Sequence, residues 1–461
     1  MKREKLIECR KMEHEFRIVV EKVAVASQKV VHRDTIKIYD INAPKSILEL
    51  GLRHEEQISL LAKVQNALLA EQSPLIDTGY DKCPKCGDRI IKNGFKKSNF
   101  HAVFSDHKLR IRQHCCKNPD CNWYSGPTTS SIFGTDIHPD LAKLQCEQGT
   151  LQSYRDAERH LEKMNAQHRR INNHSRIKHM TNRLGAQLAQ ENYKTPNQQE
   201  LPTPAPELIV QVDGGHIPTK DKGKRSFEAL CGVVYRPDSI EQIDQHHRQI
   251  KDKSCVMSAI NDELKTIKTY LHNAAIRQGL NEQTRITGLA DGADNCWITI
   301  SALKPYCQKL ELILDWFHIA MKFQNVINAL DEPLSKSLEK AKWSLWHGDS
   351  EKALNKIALI QTNISDKEKK SKLKKLENYL KNNQAYLVNY ESRKNEGKVF
   401  TSQAAESHID TIINARHKRK QKMQWTREGA HNVLQIRALM ASNQWQDKWL
   451  NYVMPTLEHS A

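Results

Sequence analysis

Five cysteines crowd into one short stretch, and this feature constrains the fold more than any other. Cys83 and Cys86 form a CxxC pair followed by a glycine. A second pair, Cys116 and Cys121, follows after a segment long enough for a short antiparallel sheet. Four thiolates at this spacing suit tetrahedral zinc, which stabilises segments too small to be held by a hydrophobic core. We therefore predict a structural zinc ribbon over residues 77–135.

One ligand of this site stays open on the sequence alone. Cys115 adjoins Cys116 and is an alternative to it, and a histidine is an alternative to a thiolate: His101, His107 or His114. The same segment is rich in Lys and Arg and poor in acids. That composition favours contact with a phosphate backbone rather than readout of bases.

Length and charge set the broad class of protein. A chain of 461 residues exceeds a single typical core and predicts roughly three domains. With 71 Lys and Arg against 54 Asp and Glu, the net charge of +17 favours a nucleic-acid partner. No run of about 18 apolar residues occurs, and the N-terminal stretch is charged throughout, so neither a membrane span nor a signal peptide is expected. We expect a cytoplasmic protein.

Two helical regions flank the cysteine segment. Residues 1–76 carry apolar residues at helical spacing, and residues 138–192 read as consecutive short helices. The second of these regions has a basic second helix, as a helix-turn-helix reader of the DNA major groove requires. The candidate DNA-contacting side chains there are Arg169, Arg170, Arg176 and Lys178. A proline-rich linker follows at residues 193–206.

The remainder alternates between strand and helix patterns, and a long helical pattern is predicted to begin at Cys255. Apolar runs that read as strands end on acids, as in LIVQVDG, RITGLADGA and LELILDWFH. This alternation predicts an α/β layer, with ligands bound at the strand ends. We assign the layer to residues 207–318 and 399–461, interrupted by a Lys-rich, all-helical insertion at residues 319–398. The predicted fold class is therefore multidomain α+β.

Three acids are candidates for metal-dependent catalysis. Asp213 and Asp291 end two of the predicted strands, and Glu406 lies where a helical pattern begins. Two divalent metals held by such carboxylates cleave phosphodiesters, and Mg²⁺ or Mn²⁺ suits oxygen ligands of this kind. A basic run follows Glu406, and its side chains are candidates for phosphate contact beside the acids: Arg416, Lys418 and Arg419.

The order of these motifs resembles the DDE transposases of bacterial insertion sequences, in the group related to Mutator-like elements. The resemblance runs from about residue 80 onward. It rests on the zinc knuckles, the helix-turn-helix and the motifs VDGGH, LADGAD, DWFH and AAES, followed by a basic run ending at Trp425. In contrast to many relatives, the Ser-Gly that commonly precedes the glutamate is absent here, where Gln403 follows Ser402.

The resemblance implies an RNase H-like catalytic domain that binds double-stranded DNA at the inverted repeats of its own element and at a target. Asp213, Asp291 and Glu406 match the catalytic triad, and Asp315 and His318 match a DxxH pair near the active site. Arg416 and Trp425 match the segment after the glutamate, and Trp425 joins Arg416, Lys418 and Arg419 as a candidate DNA-binding side chain. Asp294 and Asp315 remain alternatives to Asp291 as second metal ligand. A homo-oligomer is expected, because two DNA ends must be held together.

Two other functions remain as hypotheses at this point. A chain that keeps the fold without activity would be a DNA-binding regulator. An RNase H-like nuclease would cut structured nucleic acid without preferring particular ends and without joining DNA.

Overall fold

The computed structural model describes residues 15–41, 44–165, 169–197, 201–244, 248–402, 413–418 and 423–453. The chain has a mixed α+β fold and divides into two units. Unit 1 comprises Met1–Gly149, Tyr154–Lys178 and Lys448–Ala461, and unit 2 comprises Thr150–Ser153 and His179–Asp447. None of the helices within these described ranges is long and apolar enough to cross a membrane.

Unit 1 begins with an antiparallel hairpin. Strand β1 (Glu15–Ala24) pairs with β2 (Lys29–Asp40), and helix α1 (His54–Gln72) follows. The prediction of a helical region over residues 1–76 is therefore wrong for the hairpin. The physical reason is its content of Val and Ile, whose branched side chains are restricted in helices and favour the pleated surface of a strand.

The cysteine segment forms a second hairpin in unit 1. Strands β3 (Ile90–His101) and β4 (Asp106–Cys116) pair antiparallel, with one register irregularity between Lys92 and Phe95. Four helices follow: α2 (Thr129–Phe133), α3 (Pro139–Leu151), α4 (Tyr154–Glu162) and α5 (His174–Tyr193). Helices α4 and α5 thus lie where the helix-turn-helix is predicted.

Unit 2 is built on a five-stranded mixed sheet with the order β11-β10-β5-β6-β9. Strands β5, β10 and β11 are parallel, whereas β6 pairs antiparallel with both β5 and β9. The strands are β5 (Glu207–Pro218), β6 (Ser226–Tyr235), β9 (Ser254–Ser258), β10 (Arg285–Ala290) and β11 (Lys309–Leu314), and a small hairpin of β7 (Ile240–Gln242) and β8 (Arg248–Ile250) precedes β9.

Strand β9 replaces the start of a helix that the sequence pattern places at Cys255. All five β9 residues are buried, so the strand shows no alternation of polar and apolar residues. The helix in fact begins later, as α6 (Lys265–Arg277).

Two hydrophobic cores cover the two faces of this sheet. Leu208, Val210 and Val212 of β5 point into one core, which also contains α6 and α7 (Asp294–Ser301). Ile209 and Ile217 point into the other, which is closed by α13 (Arg427–Ala441). The alternation along β5 follows from the period of two in a strand.

The chain between β11 and Val399 is helical. It forms α8 (Trp316–Ile327), α9 (Glu332–Trp346), α10 (Ser350–Thr362), α11 (Lys367–Asn382) and α12 (Tyr390–Asn395). Its buried side chains belong to the same core as Leu208 and Val210, so these helices are packed continuously with the sheet. Trp346 packs against Trp316 and Phe400, whereas Trp343 is half exposed.

Candidate functional site

Four cysteine side chains converge in unit 1. The sulfur atoms of Cys83, Cys86, Cys116 and Cys121 all lie within 4.8 Å of one another. Two of the separations are 3.8 Å, between Cys83 and Cys121, and 3.4 Å, between Cys86 and Cys116. A tetrahedral site with Zn–S bonds of about 2.3 Å has sulfur atoms about 3.8 Å apart. The cluster therefore has the size of a four-thiolate metal site.

Local backbone structure brings the first pair together. The N–H of Gly87 donates to the carbonyl of Cys83 at 2.8 Å, and Gly87 has a φ of 77°, a conformation that glycine adopts without strain. The N–H of Asn118 in turn points at the sulfur of Cys116, 3.4 Å away. The first bond closes the backbone turn that contains Cys83 and Cys86, and the second contacts the thiol of Cys116 directly.

The cluster distinguishes among the candidate ligands. Cys116 belongs to it and Cys115 does not. The three histidines have other partners: His101 lies 2.6 Å from Asp106, and His107 lies 2.7 Å from the hydroxyl of Ser105. His114 lies 3.3 Å from the hydroxyl of Thr78.

The thiols of the cluster differ in acidity. Burial raises the pKa of Cys83, but donation from the backbone N–H groups of Cys86 and Lys85 outweighs it and lowers the pKa to about 7. The N–H of Asp88 lowers the pKa of Cys86, but desolvation and the neighbouring thiols outweigh it and raise the pKa to about 12. Crowded thiols share protons in this way because adjacent thiolates repel, and a bound cation removes that repulsion.

Three aspartates lie in one row across neighbouring strands of the unit 2 sheet. Val212, Ala290 and Leu314 are in register across β5, β10 and β11. The residue after each of these is an aspartate: Asp213 lies within β5, and Asp291 and Asp315 directly follow β10 and β11. Because parallel strands present equivalent positions at the same edge, the fold brings together three acids from distant parts of the sequence.

The electrostatics of Asp213 reflect this crowding. Burial raises its pKa, and the charges of Asp291 and Asp315 raise it further, while the charge of His318 lowers it. The net shift is upward. A raised pKa at a group beside other carboxylates is a feature of functional sites, and it shows that the ionised form of Asp213 is disfavoured without a cation.

Asp315 is the most buried of the three and is held on both oxygens. One oxygen accepts the N–H groups of Phe317 and Ser402, both at 3.0 Å, and the other accepts the hydroxyl of Ser402. Nε2 of His318 lies 3.7 Å from the carboxylate. Asp315 is also the N-cap of α8, so its two oxygens stabilise the helix start and the chain at Ser402.

Asp291 retains more freedom. One of its oxygens accepts the N–H of Ala293 at 3.0 Å, and its backbone carbonyl accepts the hydroxyl of Tyr379 at 2.8 Å. A cavity of about 860 Å³ opens beside it between α7 and α11, lined in part by Gly292, Trp297 and Tyr379. Asp294 is exposed at the first residue of α7 and lines this cavity. The carboxylates whose charges raise the pKa of Asp213 are those of Asp291 and Asp315.

Glu228, Asn295 and Tyr379 also lie near the aspartate row, and the sequence motifs do not identify them. Glu228 of β6 accepts the side-chain amide of Asn295 at 2.6 Å, and a Cβ added at Gly214 would lie 2.8 Å from a Glu228 carboxylate oxygen. Tyr379 comes from the helical insertion. These residues lack a motif of their own, and only the antiparallel pairing of β5 with β6 and the packing of α11 place them here.

Glu406 and Arg419 lie outside the described residues. The described chain on either side meets the aspartate row: Ser402 binds Asp315, and a Cβ added at Gly215 would lie 3.0 Å from the Ile413 side chain. The close approach of Ile413 explains why the position two residues after Asp213 is a glycine.

The segment after these residues is buried, contrary to expectation. Arg416 and Trp425 were predicted to contact DNA, but each is only 3% exposed, and the guanidinium of Arg416 lies 4.7 Å from the Trp425 ring. The N–H of Trp425 donates to the carbonyl of Pro218 at the end of β5, at 2.9 Å. Their role in this structure is to pack the chain against β5. Lys418 is exposed.

The basic side chains of the helix-turn-helix region separate into two groups. Arg170, Arg176 and Lys178 are exposed. Arg169 is only 6% exposed and donates to the Asp106 carboxylate and to the carbonyls of Val103 and Ser105. A guanidinium occupied in this way is unavailable to phosphates, so the prediction that Arg169 contacts DNA is wrong.

These features define a mixed α+β protein with a cysteine cluster that could hold a metal and a row of aspartates at a sheet edge. A model of the uncharacterised protein family UPF0236 matches residues 137–448. The chain belongs to this family. A search of curated proteins finds no match to it.

Proposed function

We propose that this protein is a DDE-type transposase that binds the ends of its own DNA element and catalyses metal-dependent strand cleavage and transfer. The observation that carries the proposal is the register that aligns Asp213 and Asp291 on adjacent parallel strands. Phosphodiester transfer by two divalent metals requires carboxylates from separate elements to meet at one place.

The sheet supports an RNase H-like fold for unit 2. In the order β11-β10-β5-β6-β9, the first strand in the chain, β5, is central. On one side β6 pairs antiparallel with β5, and β9 pairs antiparallel with β6. On the other side β10 and β11 run parallel to β5. This is the arrangement expected of RNase H-like nucleases and transposases. It places the first acid on the central strand.

The hydrogen bonds favour Asp291 over Asp315 as the second metal ligand. Both oxygens of Asp315 accept hydrogen bonds from the protein, whereas one oxygen of Asp291 is bonded to Ala293. Asp315 is then a positioning residue that holds the chain at Ser402. Glu406 follows Ser402 by four residues in the sequence, and we assign it as the third ligand.

The donor set fits Mg²⁺ or Mn²⁺, which prefer carboxylate oxygens. Within the described residues the four thiols are the only group of three or more ligands gathered within 4.8 Å, so the aspartates are spaced more widely than that. When bound, two such ions would activate the attacking oxygen and stabilise the leaving one. Asp213, on the central strand of the sheet, would contact both.

The chain's own residues then act by positioning and charge. A water oxygen bonds to phosphorus at the element end, and the 3′ oxygen leaves and takes up a proton. The freed 3′-hydroxyl next attacks a target phosphodiester and displaces its 3′ oxygen. No covalent bond to the protein is required. The exposed side chains of Arg170, Arg176, Lys178 and Lys418 supply contacts to the DNA backbone.

The ion at the cysteine cluster is zinc in this proposal. Four thiolates in a tetrahedron are typical of structural zinc and leave no position for a substrate. Its role is to hold the β3–β4 hairpin in a shape that binds DNA.

The test is cleavage and joining of a plasmid that carries the DNA flanking the gene, with Mg²⁺ or Mn²⁺. The native protein should cut at the element ends, leave 3′-hydroxyls and join them to a target. Asp213→Asn should abolish both steps and leave DNA binding intact, because it removes a ligand without changing the shape of the site. Asp294→Asn is the matched control, since Asp294 is a neighbouring but exposed carboxylate, and it should retain activity.

Each other outcome selects a different function. Binding without cutting by the native protein indicates a DNA-binding regulator. Cutting that ignores the element ends and joins nothing indicates a structure-selective nuclease. End-specific cutting that persists in Asp213→Asn refutes the assignment of the catalytic acids.

A further inference from the structure

Exposed apolar side chains concentrate in the first part of unit 1. Of the 31 large apolar residues that are exposed in the described chain, 15 lie between residues 15 and 75. In the same segment, the one buried apolar residue among those described is Ile58. Monomeric proteins seldom leave so much apolar surface uncovered, and a two-stranded hairpin is marginally stable without further packing.

The charge of this segment distinguishes it from the rest of the chain. Residues 15–75 contain eight Lys and Arg and eight Asp and Glu, although the whole chain has a net charge of +17. A neutral surface does not attract a polyanion such as DNA. Charges of both signs interspersed with apolar residues are instead suited to a protein partner.

The two edges of the hairpin differ in regularity. Each register shift leaves an additional residue on β2: Ile36 lies between the partners of Ile18 and Val19, and Val31 lies between the partners of Lys22 and Val23. Bulges of this kind hinder pairing with another strand. Strand β1 has no such interruption, and among the described residues it pairs with β2 alone. The edge of β1 is therefore the one open to a further strand.

The sequence of β1 is complementary to itself in antiparallel pairing. If Val19 lies opposite Val19 of the partner subunit, then Arg17 lies opposite Glu21 of the partner subunit, and Ile18 lies opposite Val20 of the partner subunit. Two-fold symmetry forms each unlike pair twice. Opposite charges and branched apolar residues are both favourable when they face one another across strands.

We propose that two copies of this chain dimerise by pairing their β1 strands about Val19, which joins the two hairpins into a four-stranded sheet. The α1 helices then lie against one face of that sheet, since α1 contacts the hairpin through Lys22–Glu71 and through Lys63, whose Nζ lies 3.5 Å from the Ile36 carbonyl. This inference is independent of the proposed catalytic function, because all the residues it uses belong to unit 1.

The first test is the molecular mass of the full chain in solution by light scattering over a range of concentrations. The native protein should reach twice the mass of the chain. Val19→Lys puts two like charges at the symmetry axis and should raise the dimer dissociation constant by about tenfold or more. Val25→Lys is the control, because Val25 is 87% exposed in the turn and outside the paired strands. It should behave as the native protein.

Charge exchange tests the register. Arg17→Glu and Glu21→Arg should each weaken the dimer, and the double variant should restore it, because the exchanged pairs are again of opposite charge. Val19→Cys should form a disulfide-linked dimer on mild oxidation, since facing residues on paired strands lie close together. Val25→Cys and the native protein, with its own cysteines, are the controls for nonspecific crosslinking.

Several results would overturn the proposal. A native protein that stays monomeric at micromolar concentration refutes dimerisation through this edge. A dimer that survives Val19→Lys, or one that fails to crosslink through Val19→Cys more than through the controls, refutes the β1 pairing. Circular dichroism and zinc content check that each variant is folded.

Discussion

Replacing one cysteine of the cluster tests directly whether the cluster binds zinc. Cys86→Ser removes one of four thiols whose sulfur atoms lie within 4.8 Å of one another, while Cys115→Ser removes a neighbouring thiol outside the cluster. The first change should reduce zinc binding strongly, and the second should leave it unaltered. The two substitutions are chemically the same, so any difference between them reports the geometry.

The size of the effect follows from the ligand count. The binding free energy of structural zinc is about 10–16 kcal/mol in small domains that fold around it. If four equivalent ligands contribute equally to this binding free energy, each contributes about 2.5–4 kcal/mol. The loss of one ligand then raises the zinc dissociation constant roughly 60- to 700-fold. The 3.4 and 3.8 Å sulfur separations are near the tetrahedral value, so little rearrangement is needed to bind the ion.

The assay is zinc content by mass spectrometry together with competition against a calibrated chelator. Hydrogen exchange across residues 83–121 should show faster exchange in Cys86→Ser than in Cys115→Ser, because the β3–β4 hairpin loses its crosslink. Equal zinc affinity in the two variants would refute the assignment of the cluster. So would loss of zinc from Cys115→Ser alone.

Three further predictions concern stability and DNA binding. Asp213→Asn should raise the melting temperature at neutral pH. The folded pKa of Asp213 is raised, so its contribution to stability is present at low pH and lost as the pH rises through that value, and the gain should disappear in melts near pH 4. Arg169→Ala should cost about 1–3 kcal/mol in chemical denaturation and leave DNA affinity unaltered, whereas Arg176→Ala should lower affinity and reduce its salt slope by about one. Gly185→Ala should destabilise unit 2 by about 1–3 kcal/mol or more, because its Cβ would lie 2.2 Å from the Asn432 carbonyl oxygen, and an unaltered denaturation midpoint would contradict that packing.

The sequence predicted the parts of this protein that depend on short-range spacing. The paired cysteines, the strand that ends just before Asp291 and the helices that follow β11 are local patterns, and the structure contains each of them. The prediction that a strand ends on Asp213 is wrong, because β5 continues to Pro218 through its pairing with β6. Spacing within a few residues already determines which side chains a turn can bring together and which face of a strand is apolar.

Errors arose where local patterns compete. The sequence pattern predicts helix both for the hairpin of β1 and β2 and for β9. In the hairpin the content of Val and Ile favours the strand. Strand β9 is short and fully buried, so it has neither the period of a helix nor that of a half-exposed strand, and pairing with β6 decides its conformation.

Only the tertiary structure decided how distant residues combine. The register of β5, β10 and β11 places Asp315 in the row with the other two aspartates, and the fold of the β3–β4 hairpin selects Cys116 over Cys115. Burial separates Arg169, which binds Asp106, from Arg170, which is exposed beside it. Adjacent residues of one type look alike in a sequence, and their roles differ because packing turns one inward and leaves the other in water.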